Sequence, residues 1–353
     1  MGILIAAVGL FVGYGAALLG SREVRYLTRA GFEEIRILKG RRPLAEVIRD
    51  PAVDAATRGL LALVSEVRDF AEAIGLDAGD TYTTYTDVGR DTLLLVLSAA
   101  PKDCICAKTW SYPIVGRIPY KGFFDARMAE REAGRLDAEG LDTYLRPAGA
   151  FSTLGWFNDP LLSTALTRDS MELASTVFHE LAHNTLFIKS AVDFNESFAQ
   201  YVGYRAAERF FLARGDSLTA RRAVDRWRDE RVLAGLYHQL VERLHAFYAT
   251  RPAGAALDSG RVAHARWFRE QLEGPVGDSL RTYRIGAMAD RPINNARLVG
   301  LRLYRTRLDL FEQWHARYQE DLPAALRALT ALLEEAAGDQ AFARLEAALQ
   351  ASG

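Results

Sequence analysis

The sequence has no excess of charge of either sign, since 44 Lys and Arg residues are balanced by 45 Asp and Glu residues. A net charge of −1 argues against a protein that binds nucleic acid through an electropositive surface. Low-complexity tracts and internal repeats are also absent from the sequence. With 49% hydrophobic and 25% charged residues over 353 positions, the chain has the composition of a folded protein with one large or two small domains.

Cysteine is scarce, with Cys104 and Cys106 the two examples in the chain. No histidine or further cysteine lies near them in the sequence, which argues against a zinc site at this pair. In a β-strand both side chains would point to the same face, an awkward arrangement for a disulfide bond. We therefore expect two ordinary, half-buried thiols.

Charged side chains are absent from the first twenty residues, Met1–Gly20. A helix of this length spans about 30 Å, which is enough to cross the core of a bilayer. A cleaved secretory signal is the alternative, although no basic residue precedes the apolar run. Arg22, Arg25 and Arg29 follow directly, and the positive-inside rule places the remaining chain in the cytoplasm. We expect an uncleaved membrane anchor in residues 1–20, followed by a folded body in residues 21–353.

Histidine is also infrequent, and two of the six histidines fall in the pentapeptide His179-Glu180-Leu181-Ala182-His183. On a helix, histidines four residues apart share one face and can bind the same metal ion. Glu180 lies one step round that helix, within reach of a metal-activated water, and can act as general base. The spacing predicts two zinc ligands and a catalytic base. The alternative is that both histidines are ordinary residues of a packed helix.

The residues around the pentapeptide favour a helix. Asp169 and Ser170 are typical N-cap residues, and Glu172 suits the first helical turn. No Gly or Pro interrupts residues 169–188. Apolar residues recur there at helical spacing and predict a buried stripe, formed by Ala174, Val177, Phe178, Leu181 and Ala182.

A zinc peptidase needs a third protein ligand, and Glu196 is the predicted one. A short turn after the first helix would bring a second helix back, with Glu196 in its first turn facing the histidines. Asp193 is the alternative ligand, and the pair Asp193 and Glu196 also fits a capping box, in which Glu196 would be structural. We expect Asn195 and Gln200 to hold the ligands through hydrogen bonds.

The pentapeptide, followed closely by Asn-Glu-Ser-Phe-Ala at 195–199, resembles a bacterial family of zinc aminopeptidases whose members are often described as lipoproteins. The similarity extends over most of the chain, through segments 108–110, 120–125, 152–164 and 293–296 and Tyr304. The resemblance implies a zincin-like fold of the glutamate-ligand type. It assigns one Zn²⁺ to His179, His183 and Glu196, and the role of base to Glu180. It also implies a periplasmic body, contrary to the arginines that follow residue 20.

Periodicity elsewhere predicts an α+β protein. The expected elements are helices at 22–49, 54–76 and 126–139 and strands at 92–99, 141–145 and 150–157. With the zincin-like fold that the family resemblance implies, we expect helices and a small mixed or antiparallel sheet in residues 21–165. Residues 166–353 form a predominantly helical half that holds the metal site. A sheet edge that pairs with an extended peptide substrate is predicted at Ser152, Thr153, Leu154 and Gly155, although a structural strand explains these residues equally well.

The developing oxyanion of peptide hydrolysis needs a hydrogen-bond donor, and Tyr304, on a predicted helix, is our choice. Tyr283, Asn294 and Asn295 are alternatives, and Tyr304 as a packing residue is another. The residues thus predict a zinc-dependent peptidase, anchored to the membrane, with peptides as substrates, and the family resemblance implies an aminopeptidase. A zinc endopeptidase and a non-catalytic envelope scaffold with a vestigial metal site remain alternatives.

Overall fold

The computed structural model of the protein describes residues 18–112, 116–149 and 160–351. It is 64% helical, with small sheets of two or three strands. The α+β class and the helical C-terminal half are confirmed.

Three helices open the described chain: α1 (Arg22–Lys39), α2 (Leu44–Arg49) and α3 (Ala55–Ala73). The predicted helix at 22–49 is interrupted, because α1 ends at the C-cap Gly40 and Pro43 separates it from α2. Both long helices begin at side-chain caps: Ser21 accepts a hydrogen bond from the amide of Val24, and Asp54 accepts one from Thr57.

The main sheet has the strand order β6 (Lys121–Phe123), β3 (Leu94–Pro101), β7 (Leu141–Ala148), and all its pairs are antiparallel. Helix α4 (Ala126–Ala138) covers one face, where Leu136 packs with Leu97 of β3. The predicted strands at 92–99 and 141–145 are therefore present, and the second of them is longer than expected.

Two smaller sheets flank this one. Strands β1 (Arg42–Pro43), β2 (Thr84–Thr86) and β8 (Leu161–Leu162) form a mixed sheet, and β4 (Trp110–Tyr112) pairs with β5 (Gly116–Ile118). The strand predicted at 150–157, with the substrate edge Ser152–Gly155, lies outside the described residues.

Three long helices form the centre of the helical half: α5 (Ser170–Thr185), α6 (Val192–Ala213) and α7 (Ser217–Ala249). They share a core of large buried side chains that includes Phe178, Phe198, Tyr201 and Trp227. Aromatic burial of this kind stabilises the helix pairs and holds their relative positions. The N-cap of α5 is Asp169, as predicted, and its carboxylate accepts from the amides of Met171 and Glu172.

The remaining helices complete the body: α8 (Gly254–Glu273), α9 (Pro275–Ser279), α10 (Ile285–Ala289), α11 (Asn295–Arg302), α12 (Leu308–Arg317), α13 (Leu322–Leu333) and α14 (Ala341–Gln350). Helix α11 joins the helical half to the main sheet. The Asn294 side chain donates to the carbonyl of Thr143, and the amide of Asn295 donates to the carboxylate of Asp142.

The prediction of free thiols is wrong, because Cys104 and Cys106 form a disulfide. Their Cα atoms are 5.2 Å apart, within the range that a disulfide can bridge. Both residues lie in a loop after β3 rather than in a strand, so the strand geometry assumed for them does not apply. The Asn295 side chain fixes this loop by donating to the carbonyls of Pro101 and Cys104.

No helix among the described residues is long and apolar enough to span a bilayer. The predicted anchor falls almost entirely on residues 1–17, which lie outside the described part of the chain.

Candidate metal centre

Helix α5 presents His179 and His183 from consecutive turns. The centroids of the two imidazole rings are 5.0 Å apart and their planes lie at 85°. The side chains are 13% and 22% exposed, so both rings lie at the border between core and solvent. Helical spacing thus brings the two rings together at an accessible position, as the sequence predicts.

Helix α6 contributes the third group. The chain reverses between Leu186 and Ala191, and the Asn195 side chain holds this turn by bonding both the amide and the carbonyl of Ile188. The helix begins at Val192 with Ala191 as its N-cap, so Asp193 is not the start of a capping box. Glu196 therefore lies further into the helix, with its carboxylate directed at the histidines.

The three side chains converge on one point. Glu196 Oε2 is 3.3 Å from His179 Nε2 and 3.9 Å from His183 Nε2. One donor atom from each residue lies within 4.8 Å of the other two. Two ligands bound at zinc distances and a tetrahedral angle are roughly 3.4 Å apart, so the donor set fits one zinc ion. Among the described residues, this is the one group of three His, Cys, Asp or Glu side chains arranged in this way.

The charges at the site favour an ionised Glu196. Burial raises the pKa of this carboxyl, but the hydrogen bond and the charge of His179 outweigh burial and lower the pKa below its usual value. Burial opposes protonation of His179, while Glu196 and Glu180 together raise its pKa. Burial, reinforced by the charge of His179, lowers the pKa of His183 to about 4. His183 is therefore neutral at pH 7, and its Nδ1 is buried without a hydrogen-bond partner in the described residues.

A glycine sets the distance between the two helices. A Cβ atom on Gly203 of α6 would lie 2.8 Å from the carbonyl oxygen of Ser175 and 3.5 Å from Cβ of His179. The missing side chain therefore lets α6 approach α5 closely next to the first histidine. One turn after Glu196, Gln200 lies within hydrogen-bonding reach of His179. Asn195 instead bonds the turn at Ile188, and so supports the site from a distance.

Glu180 lies next to His179 along α5 and is half-buried. Its negative charge raises the pKa of His179 and also that of Tyr304. The carboxylate is therefore close enough to both residues to act on their protonation. This location matches the one that the pentapeptide predicts for a general base.

Tyr304 stands over the same site, although its backbone differs from the prediction. The residue lies in a turn that follows α11, not within a helix. Its ring centroid is 6.2 Å from that of His179. Burial, followed by the charge of Glu196, raises the pKa of Tyr304 well above its usual value. The hydroxyl thus keeps its proton at neutral pH and can serve as a hydrogen-bond donor.

Two further residues interact electrostatically with the site, and the sequence did not predict either of them as a site residue. The pKa of Tyr120, between β5 and β6, is raised by burial and then by the charge of Glu196. Arg146 of β7 lowers the pKa of Glu196 and opposes the rise at both Tyr120 and Tyr304. Arg146 pairs in register with Val96, whose hydrophobic cluster also contacts Tyr120. Tyr120 begins segment 120–125, which contributes to the family resemblance, and Arg146 lies within a strand. Neither position indicates a role at the metal site from the sequence, since long-range pairing brings both residues there.

The three residues predicted as alternative oxyanion donors form hydrogen bonds elsewhere in the structure. The Tyr283 hydroxyl donates to the carboxylate of Glu230. Asn294 caps α11 by accepting from the amide of Arg297, and Asn295 accepts from the hydroxyl of Tyr248. These hydrogen bonds give all three residues structural roles, so Tyr304 is the predicted donor that the structure brings beside the histidines.

Comparison with curated proteins and with solved structures found no match to this chain. A family model with the description "Putative aminopeptidase" matches residues 25–343, which include every residue of the site. Because the match covers most of the sequence, the chain belongs to this aminopeptidase family.

Proposed function

We propose that the protein is a zinc-dependent peptidase that removes residues from the amino terminus of peptides. One observation carries the proposal: two imidazoles of α5 and a carboxylate of α6 converge on one point. Glu180 lies beside them, where catalysis requires a base and a purely structural metal site requires none. The family match supports the peptidase class.

His179, His183 and Glu196 would hold the zinc ion, and three protein ligands are the number typical of catalytic sites. Zinc in such a site supplies Lewis acidity, which polarises a peptide carbonyl and makes water more acidic. The neutral imidazole of His183 and the ionised carboxylate of Glu196 are the forms that bind metals. The donor set thus fits the ion in chemistry as well as in spacing.

Glu180 takes the proton of the attacking water and transfers it to the amide nitrogen as the carbon–nitrogen bond breaks. The Tyr304 hydroxyl donates to the substrate oxygen that becomes negative, and its raised pKa keeps the proton available. Arg146 adds a positive charge close to Glu196, at the same site. Glu180 thus transfers the proton, and Tyr304 and Arg146 stabilise the negative charge that develops.

An endopeptidase is the second candidate, and Arg146 favours it. The additional charge near Glu196, Tyr120 and Tyr304 is positive, whereas the ammonium group of a peptide is best held by a further carboxylate. A panel of peptides with free and N-acetylated termini separates the two activities. Rapid cleavage of the acetylated peptides would contradict the aminopeptidase assignment and support the endopeptidase.

The decisive experiment compares wild type with Glu180→Gln, measuring peptide hydrolysis and bound zinc in both. We expect one zinc per chain in each protein and a loss of activity of roughly 10²–10⁴-fold in the variant. The matched control is Glu172→Gln, which changes the other glutamate of α5, paired with Arg226. Equal hydrolysis by wild type and Glu180→Gln would remove Glu180 from the mechanism. Zinc without activity in both would support a scaffold instead.

We also propose that residues 1–20 attach the protein to a membrane and that the body lies outside the cytoplasm. The Cys104–Cys106 disulfide supports this side of the membrane, since disulfides persist in oxidising compartments. Alkylation of thiols in intact cells, before and after reduction, tests the location. Alkylation that needs no reduction would place the body in the cytoplasm, as Arg22, Arg25 and Arg29 predict.

A further inference from the structure

Helix α1 exposes an apolar surface that the peptidase site does not use. Among the described residues, half of the exposed large hydrophobic side chains fall within residues 19–35. They are Leu19, Leu27, Phe32 and Ile35, with exposures of 85%, 50%, 61% and 54%. At 3.6 residues per turn, the last three fall on one side of α1. Such a concentration of exposed apolar surface marks an interaction site.

The opposite side of α1 is anchored to the body, so the apolar side faces outward as a consequence of docking. Lys121, which is 3% exposed, pairs with Glu23. Glu33, which is 2% exposed, pairs with both Arg29 and Arg90. The Tyr26 ring packs edge-on against Phe123 at 5.3 Å. These contacts determine which side of the helix is available to a partner.

Basic residues run along one edge of the apolar surface. The five are Arg22, Arg25, Arg29, Arg36 and Lys39. Within the described ranges, Arg36 and Lys39 form no ion pair with a carboxylate, so their charges are available to an anionic partner. The Arg25 guanidinium donates to the carbonyls of Leu18 and Leu19, which leaves its positive charge without a carboxylate partner in the same ranges. An apolar side bordered by cations is the pattern of helices that lie in a membrane interface.

We propose that α1 lies flat on an anionic lipid bilayer, with Leu27, Phe32 and Ile35 at the boundary between headgroups and acyl chains. The uncharged sequence of residues 1–20 immediately precedes the helix and favours a bilayer over a protein partner. The basic edge contacts lipid phosphates and holds the active body at a defined orientation. This inference does not depend on the peptidase chemistry.

The orientation of α1 relative to the bilayer can be measured. If α1 instead pointed away from the bilayer, Ile35 would lie about 22 Å from Gly20 along the helix axis and remain in water. The chain carries no free cysteine, because Cys104 and Cys106 are bonded to each other. A single Phe32→Cys substitution therefore accepts a fluorescent label whose emission reports local polarity. Leu218→Cys, on α7 and 75% exposed in the wild type, is the matched control.

The full chain is reconstituted with vesicles of phosphatidylcholine alone or mixed with phosphatidylglycerol. We expect the label at position 32 to become several-fold less accessible to a water-soluble quencher in the phosphatidylglycerol vesicles, and the label at position 218 to stay accessible. Adding Arg25→Gln, Arg36→Gln and Lys39→Gln should reverse most of that protection, since each basic residue strengthens binding to anionic lipid severalfold. Full quenching at position 32 in both vesicles would overturn the proposal. Protection that ignores the lipid charge, or that occurs equally at position 218, would also overturn it.

Discussion

Gly203 stands where α6 passes closest to the helix that presents the histidines, and its replacement by alanine tests how closely metal binding depends on helix packing. The new Cβ would lie 2.8 Å from the carbonyl oxygen of Ser175, roughly 0.6 Å short of ordinary contact. That oxygen belongs to the backbone, so the helices must separate rather than a side chain rotate. The displacement would occur one turn from His179 and two turns from Glu196.

Two effects of opposite sign contribute to the stability of Gly203→Ala. Overpacking in a well-packed core costs about 1–3 kcal/mol, whereas replacing glycine with alanine inside a helix stabilises by about 1 kcal/mol. We expect a net destabilisation of about 1 kcal/mol, together with roughly tenfold weaker zinc binding as the carboxylate moves from the imidazoles. Urea unfolding followed by circular dichroism measures the first quantity, and competition with a chelator measures the second.

The control is Gly235→Ala on α7, where a new Cβ meets no atom within 4 Å. This variant gains the helix propensity without the clash, so we expect it to be more stable than wild type by about 0.5–1 kcal/mol. Its zinc affinity should be unchanged. If Gly203→Ala behaves like this control in both assays, the close approach of α5 and α6 does not set the geometry of the metal site.

Two other substitutions test the site and the core. Tyr304→Phe removes the proposed oxyanion donor, and we expect steady-state kinetics to show kcat falling by roughly 10²–10³-fold with KM changed much less; an unchanged kcat would assign Tyr304 to packing. Glu312→Gln weakens charge-assisted hydrogen bonds from Trp227 and Arg205, and we expect urea unfolding at pH 7 to show a loss of about 2 kcal/mol. Burial raises the pKa of Glu312, but these partners and Arg231 lower it below 4.5 overall. A carboxyl with a depressed pKa stabilises the fold above its unfolded pKa, and this stabilisation is lost as the pH falls through the folded value. The wild type should therefore lose more stability than Glu312→Gln between pH 6 and pH 3, and parallel losses would show that this carboxyl is not involved.

The helix with the histidines could be predicted because its signals are local. Asp169 caps the first turn by accepting from the amides of Met171 and Glu172, and the apolar spacing from Ala174 to Ala182 requires one buried face. Each of these interactions spans at most four residues, so neighbouring positions in the sequence are sufficient to predict them. The spacing of His179 and His183 then determines that the rings share a face.

Longer-range features were predicted less well because distant segments decide them. The sequence left Glu196 and Asp193 open as ligands, and the start of α6 at Val192 directs Glu196 toward the histidines. The disulfide between Cys104 and Cys106 depends on a loop held by Asn295. No spacing rule relates that asparagine to the cysteines, since nearly two hundred residues separate them.

The sequence by itself therefore determined the chemistry available to this protein. It placed the imidazoles of His179 and His183 and the carboxylate of Glu180 on one helix, and it left the N-terminal stretch uncharged. Only the tertiary structure decided which groups surround them. It brought Tyr120 and Arg146 to the site, which the sequence did not indicate, and it placed Tyr304, one of several donors that the sequence offered, beside His179. Contacts between such distant residues follow from strand pairing and helix packing, and these depend on burial across the whole molecule rather than on local pattern.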